Sequence, residues 1–147
     1  MLLAAAGSLA LMIGALGFQY IGGLPPCEMC MWQRYPHVLA IAIGLIALRF
    51  PAVALAWLGA LAAFATAAVG AFHTGVERDW WEGPTSCSSQ PIGGLTPDEL
   101  FDQIMTAPVV RCDEVPWEML GLSMASWNMI ASLVLMAIWI AAARRPA

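Results

Sequence analysis

The chain is patterned as long unbroken apolar runs rather than as the alternation of a half-buried sheet. Residues 2–20 carry only Ser8 and Gln19 as clearly polar side chains. Residues 52–72 contain no charge, and residues 120–143 hold Ser123, Ser126, Asn128 and Ser132 as their polar members. A helix of about 20 apolar residues crosses a hydrocarbon core about 30 Å thick, so each run predicts a membrane span. A fourth run, residues 38–48, is apolar but too short to span alone. It reaches bilayer length if it starts near Met31, which brings Gln33, Arg34 and His37 to the membrane edge or slightly inside it. A re-entrant or buried segment is the alternative.

The arginines favour the fourth span. Arg49 and Pro51 break the chain tightly between the second and third runs, and the C-terminal tail carries Arg144 and Arg145. Arginines beside spans mark the cytoplasmic side. Four spans bring Arg49, Arg144 and Arg145 to one side, whereas three separate them. The expected fold is an all-α membrane protein, a four-transmembrane-helix bundle forming one domain over residues 1–147. Its spans are residues 2–20, 31–48, 52–72 and 120–143, both termini are cytoplasmic, and the outer loops are residues 21–30 and 73–119. The first run lacks a basic n-region and reads as a retained span rather than a cleaved signal.

The long outer loop is predicted to be partly irregular, with Pro and Gly throughout, and to carry one short helix. Thr96 caps it, Pro97 takes its first position, Glu99 completes a capping box, and Leu95 with Leu100 forms a hydrophobic staple. Trp32, Trp80, Trp81 and Trp117 are expected near the outer membrane boundary, and Trp57 and Trp139 nearer the inner one. Trp127 reads as packing within the last span. Gly14, Gly17, Gly59 and Gly70 are expected to let helices approach closely.

Composition agrees with this layout. Of 147 residues, 61% are hydrophobic and 11% charged, with a mean hydropathy of +0.75. A soluble domain carries about a quarter charged residues. All six basic residues are arginine. This excludes a disordered chain and a basic nucleic-acid binder. All ten acids fall outside the expected cytoplasmic regions: Glu28 after the first span, and nine between Glu77 and Glu118.

The four cysteines carry the candidate chemistry. Cys27 and Cys30 form a C-x-x-C motif just after the first span, and Cys87 and Cys112 lie in the long outer loop. The side away from the cytoplasm is oxidising, so disulfides are expected there, and four cysteines allow three pairings. Three readings compete. Structural disulfides suit a bond between Cys87 and Cys112, where loop closure contributes about 3 kcal/mol in the chain-entropy model. A zinc site made of all the thiolates requires a second tightly spaced pair, which is missing. A redox reading has two dithiol pairs exchanging electrons through thiolates. Arg34 lies four residues after Cys30, so on a helix the two share a face, and the guanidinium stabilises a Cys30 thiolate or the oxygen of a bound electron acceptor. Pro36 disfavours helix at Tyr35, which makes that face conditional. Glu28 opposes a thiolate beside it. His37 by itself reads as a packed or interfacial histidine.

Pro26-Cys27-Glu28-Met29-Cys30 followed by Gln33-Arg34, His73-Thr74 after the third span, and Cys112-Asp113-Glu114 with Trp117 and Leu120-Gly121-Leu122 together resemble the disulfide bond formation protein B family (DsbB). The resemblance covers essentially the whole chain, although Trp80-Trp81-Glu82-Gly83-Pro84 departs from the family's commonest form. It implies an enzyme of the bacterial inner membrane with periplasmic cysteine loops. Such a dithiol:quinone oxidoreductase reoxidises a periplasmic thiol oxidase of the DsbA type and passes electrons to ubiquinone or menaquinone in the membrane pool. By resemblance, Cys87 forms the mixed disulfide with the partner and Cys112 is its loop mate. Cys27 exchanges with the loop pair, and the Cys30 thiolate meets the quinone. Arg34 and His73 belong to the quinone site, and no metal is implied. The competing readings are a non-catalytic four-helix membrane protein with two structural disulfides, and a thiol oxidoreductase of the vitamin K epoxide reductase type.

Overall fold

The structure is a computed structural model, and it describes residues 1–88, 93–94, 96–106 and 110–144. Four long helices dominate: α1 (Leu2–Tyr20), α2 (Glu28–Arg49), α3 (Val53–Glu77) and α5 (Met124–Ala143). The short helix α4 (Pro97–Thr106) lies in the long loop, and a two-stranded hairpin of β1 (Glu118–Met119) and β2 (Leu122–Ser123) precedes α5. α1, α3 and α5 are each long and apolar enough to cross a membrane. α2 is 22 residues long, about 33 Å at the usual rise, and carries the polar Gln33, Arg34 and His37. Around the bundle, α3 packs most heavily on α5 and then on α2, while α1 touches α2 and, more lightly, α5.

Small residues set the inner packing. Ala4, Ala5, Ala56, Ala60 and Ala63 are buried around Ile43, Leu135 and Trp139, whereas Leu9, Ile13, Leu45, Leu58, Leu61, Leu133 and Val134 are exposed. Large apolar side chains facing outward and small ones facing inward are what a lipid-solvated bundle requires, because lipid solvates leucine as well as a core does and association rests on close backbone approach. Gly59 and Gly70 fit that expectation: a Cβ at Gly59 meets the Trp139 ring at 2.5 Å, and one at Gly70 meets the Ala125 carbonyl at 3.1 Å. Gly14 and Gly17 do not, since nothing lies within 4 Å of a Cβ at either; Gly14 instead borders a cavity.

Several boundaries move. α3 continues through Glu77, so His73 belongs to its last two turns rather than to the outer loop. Apolar character ends at Phe72, but helical hydrogen bonding does not. The last helix starts at Met124 rather than at residue 120. Leu120 and Gly121 both take positive φ, 55° and 76°, and form the two-residue turn of the hairpin, a conformation that matches strand twist but stops a helix. Ser123 then caps α5 by accepting from the Ser126 N–H at 3.2 Å. The break expected at Tyr35 is absent, for α2 runs through Pro36. The proline removes the N–H partner of the Trp32 carbonyl; at the next residue the Thr66 hydroxyl on α3 donates to the Gln33 carbonyl at 3.0 Å and ties the two helices together.

The capping box of α4 is present. The Thr96 N–H donates to Glu99 at 2.8 Å, and the Glu99 N–H donates back to Thr96 Oγ1 at 3.4 Å. Leu95, the other half of the expected staple, and Arg145 lie outside the described residues. Trp139 is fully buried against α3 and is a packing residue, not an interfacial one. Trp127 donates its indole N–H to the Met119 carbonyl at 3.2 Å, which ties α5 to the hairpin.

Candidate active site

One end of the bundle gathers the four cysteines into one buried cluster. Cys27 is the N-cap of α2, with extended backbone, and its sulfur accepts the Cys30 N–H at 3.2 Å. Cys30 follows in the first helical turn, and its sulfur sits 2.8 Å from that of Cys27. The two are free thiols, with Cys27 donating to Cys30. The loop pair is bonded: Cys87 and Cys112 form a disulfide with Cα atoms 5.3 Å apart. The Cys112 N–H also donates to the Cys87 carbonyl at 2.6 Å. Cys27, Met29, Val76, Cys87 and Cys112 pack together, with Cys30 and Val110 against them. Cys87 is 1% exposed and Cys112 0%, so the loop disulfide is docked on the C-x-x-C rather than presented to solvent.

The loop is held down by polar contacts that the sequence did not disclose. The Ser86 hydroxyl donates to Glu28 Oε2 at 2.6 Å, which gives Glu28 a partner away from the thiols. A Cβ at Gly83 would meet the Ser88 hydroxyl and Val76. Trp81 stacks on Phe72 and donates to its carbonyl at 2.9 Å.

The two thiols of the C-x-x-C are electrostatically unlike. The Cys27 S–H donated to Cys30 holds the Cys30 thiol below its ordinary range, with a smaller contribution from the Arg34 charge. The same contact, with burial, pushes Cys27 well above it. The expected help from Arg34 ranks below that hydrogen bond. Its guanidinium instead donates to Gln19 Oε1 at 2.6 Å and to the Ala15 carbonyl at 3.4 Å, pinning α2 to α1.

A hydrogen-bonded chain of side chains crosses the bundle behind the thiols. His37 Nε2 meets Asn128 Oδ1 at 2.9 Å, Asn128 Nδ2 donates to Gln33 Oε1 at 2.8 Å, and Gln33 Nε2 donates to His73 Nδ1 at 2.9 Å. His73 Nε2 meets the Cys112 carbonyl at 3.1 Å and lies 3.7 Å from the Cys27 sulfur. One contact orients the chain. Gln33 Nε2 also donates to the Met29 carbonyl at 3.2 Å, and a carbonyl only accepts, so that end of the amide is nitrogen. His73 Nδ1 is then the acceptor, and Nε2 carries the hydrogen. Asn128 Nδ2, shared with Thr66 Oγ1 at 3.0 Å, leaves Oδ1 for the Nε2–H of His37. The donor atoms of Cys27, Cys30 and His73 lie within 4.8 Å of one another. As it stands, His73 presents N–H to the thiols and the trio is joined by hydrogen bonds.

Beneath the docked loop lies a cavity of about 470 Å³. Its lining includes Cys27, Cys30, Arg34, His73 and Glu77, together with Leu11, Gly14, Phe18 and Trp127. Phe18 packs on Trp117, ring centres 5.0 Å apart, so α1 and the loop close the cavity together. The structure thus brings Cys27, Cys30, Cys87, Cys112, Arg34 and His73 into one site. It adds Asn128 and Glu77, which the sequence showed only as a polar member of a run and an outer acid, and gives a role to Gln33, which the sequence showed only as a motif neighbour of Arg34. Ionisable and amide side chains inside apolar helices are functional candidates in a bilayer, and that signal was present at Asn128 and Gln33.

Comparison with known proteins agrees with the geometry. The family model described as disulfide bond formation protein DsbB matches residues 1–142. The disulfide bond formation protein B of Shewanella sp. (strain MR-4) is 33% identical over 130 residues, covering 84% of this chain and 74% of that protein. Its counterpart from Haemophilus ducreyi is 34% identical over 137 residues, covering 88% and 76%. A family match over nearly the whole chain, on a helical membrane fold that docks a loop disulfide against a C-x-x-C, places the protein in the DsbB family of disulfide oxidoreductases.

Proposed function

We propose that this protein is a four-span enzyme of the bacterial inner membrane, a single domain over residues 1–147 with both termini cytoplasmic. In this reading it draws electrons from a periplasmic thiol oxidase of the DsbA type and delivers them to membrane quinone. One observation carries the reading: the Cys87–Cys112 disulfide is packed against Cys27, beside a cavity that Cys30, Arg34 and His73 share.

Each exchange moves two electrons between a dithiol and a disulfide through thiolates, and each released sulfur keeps or takes a proton according to its surroundings. The partner's thiolate attacks Cys87, Cys112 leaves as a thiolate, and the partner's second thiol then releases Cys87, so the loop pair becomes a dithiol. Because Cys87 is buried, the loop lifts off the bundle to meet the partner and docks again afterwards. Once docked, a reduced loop cysteine attacks Cys27 of an oxidised Cys27–Cys30 pair and Cys30 leaves; the other loop cysteine then attacks the mixed disulfide, releases Cys27 and re-forms the loop disulfide. The leaving group is the thiol whose surroundings favour the thiolate, and a low leaving-group pKa speeds exchange. The Nε2–H of His73 steadies the Cys112 main chain during this exchange and lies near the Cys27 sulfur.

The cavity suits a quinone ring. It is mostly apolar, as ligand sites are, and it carries charged donors at Arg34. Arg34 has five N–H donors, of which α1 engages two. The remaining Arg34 donors would bind a quinone oxygen, and Leu11, Gly14 and Phe18 of α1, which line the same cavity, would hold the ring. A bound quinone, ubiquinone or menaquinone, supplies the terminal electron acceptor. The reading is tested by adding a reduced DsbA-type partner and a soluble quinone to the purified protein and following quinone absorbance. Cysteine-dependent bleaching is expected. Its absence would leave a non-catalytic membrane bundle with disulfide-braced loops.

A further inference from the structure

Glu77 is a buried carboxyl with no part in the exchanges above. It ends α3, and its side chain is 2% exposed. It borders the same cavity as Cys27 and Cys30, and its Oε1 lies 3.8 Å from His73 Nε2. The charged and titratable groups around it are Cys27 and Cys30 on α2, His73 and Arg78 on α3, and Glu118 on β1. Arg78 does not pair with it directly. That guanidinium donates to the Gly121 carbonyl and lies 3.9 Å from Glu118.

Behind Glu77 runs a row of hydroxyls. Glu77 Oε2 meets Ser123 Oγ. Ser123 Oγ lies 3.1 Å from Ser126 Oγ, which lies 3.1 Å from Thr74 Oγ1. Thr74 donates to the Gly70 carbonyl at 2.9 Å. A carbonyl only accepts, so the direction of the row is fixed at that end, and each hydroxyl has one hydrogen to give. With a protonated Glu77 at its head, the row is complete: Glu77 donates to Ser123, Ser123 to Ser126, Ser126 to Thr74, and Thr74 to Gly70. With an ionised Glu77, Ser123 rotates its hydrogen onto the carboxylate, and every group keeps a partner. Both protonation states are therefore accommodated without moving a heavy atom.

The stoichiometry of the proposed reaction asks for such a group. In the reduced site Cys27 donates its S–H to the Cys30 sulfur, so the pair holds two reducing electrons but, with Cys30 as thiolate, one proton. A hydroquinone needs two. Resting on the quinone-reductase reading, we propose that Glu77 supplies the second proton when the Cys27–Cys30 pair reduces the quinone. The Cys27 S–H and Glu77 O–H bonds break, the Cys27–Cys30 bond forms, and two quinone oxygens gain hydrogens as the quinone takes the electron pair. Cys27 thiol, Cys30 thiolate, protonated Glu77 and quinone become disulfide, carboxylate and hydroquinone, and one negative charge stands on each side. Glu77 is recharged from solvent past Arg78 and Glu118, whose side chains are partly exposed.

The test uses Glu77→Gln, which keeps the shape of the side chain and an oxygen for Ser123 but carries no acidic proton, and Glu77→Asp as the conservative variant. In quinone-free protein, infrared difference spectra between the disulfide and dithiol forms of Cys27 and Cys30 should show a deuterium-sensitive carboxyl carbonyl band. Glu77→Gln should lose that band. In single turnover with a soluble quinone, Glu77→Gln should be slowed on the order of 100-fold, the usual scale of general acid catalysis. Its rate should fall about tenfold per pH unit as bulk protons become scarce, while Glu77→Asp retains a shallow profile. Folding is read separately, by stoichiometric exchange of the Cys87–Cys112 disulfide with a small dithiol, which Glu77→Gln should retain. Wild-type rates and pH dependence in Glu77→Gln, or an unchanged carboxyl band, overturn the proposal. A wild type that reacts with dithiols but never bleaches quinone overturns the reading beneath it instead.

Discussion

The two cysteine pairs are built on opposite principles. Cys27 and Cys30 sit on rigid scaffold, one capping α2 and the other in its first turn, with sulfurs tuned by each other and by a side chain four residues on. Cys87 and Cys112 are 25 residues apart in sequence, on a loop that meets the bundle through apolar packing on Met29 and Val76 and through polar contacts such as Ser86 to Glu28. In the proposed cycle the helix-borne pair meets the quinone, and the loop-borne pair shuttles between two reaction partners. Rigid elements fix reactive geometry, and loops of low local stability supply motion.

The largest expected effect removes one side of this comparison. Cys30→Ser should abolish quinone reduction while the Cys87–Cys112 disulfide still reacts once with a reduced partner; continued turnover in a quinone-bleaching assay would refute the assignment. Arg34→Met comes next. Loss of a charged donor costs about 1.5–3 kcal/mol, so the apparent KM for quinone should rise about tenfold or more, with thiol exchange at Cys87 unaffected. Normal kinetics would leave Arg34 as an anchor between α1 and α2.

The pH dependence should separate the two thiols of the helix pair. In reduced protein, Cys30 should be alkylated by iodoacetamide ahead of Cys27. Its pKa is lowered, so thiolate persists as pH falls below the ordinary thiol range, whereas the raised pKa of Cys27 keeps it protonated and slow. Mass spectrometry of peptides quenched across a pH series would show equal rates if the asymmetry were wrong. A smaller effect, a few-fold, is expected from Ser86→Ala. It removes the loop's contact with Glu28 and should speed reduction of Cys87–Cys112 by a small dithiol. The smallest is Thr96→Ala, which removes the capping box of α4 at a cost of about 1 kcal/mol, visible as faster amide exchange in that helix alone.

Apolar run length was enough to locate three spans, because the requirement to satisfy backbone hydrogen bonds in lipid leaves little choice but helix. The start of α4 was also legible, since a capping box is local chemistry. Helix ends were not. α3 outlasts its apolar run by a turn because hydrogen bonding continues through His73 and Glu77, and α5 starts late because Leu120 and Gly121 turn a hairpin. Pro36 was legible as an obstacle to α2, but the Thr66 hydroxyl that ties α2 to α3 there lies 33 residues beyond Gln33 in sequence.

For the site, sequence alone determined the membrane class, the two cysteine pairs, and Arg34 one turn from Cys30, because spacing within a helix is fixed by its repeat. Only the tertiary structure decided which cysteines are bonded, and that the bonded pair is packed on Cys27. It alone decided that Gln33 and Asn128 orient His73, and that Glu77 belongs to the cavity rather than to the loop's surface charge. Those facts depend on contacts among α2, α3, α5 and the loop, where the buried amides and hydroxyls of one element must be satisfied by another.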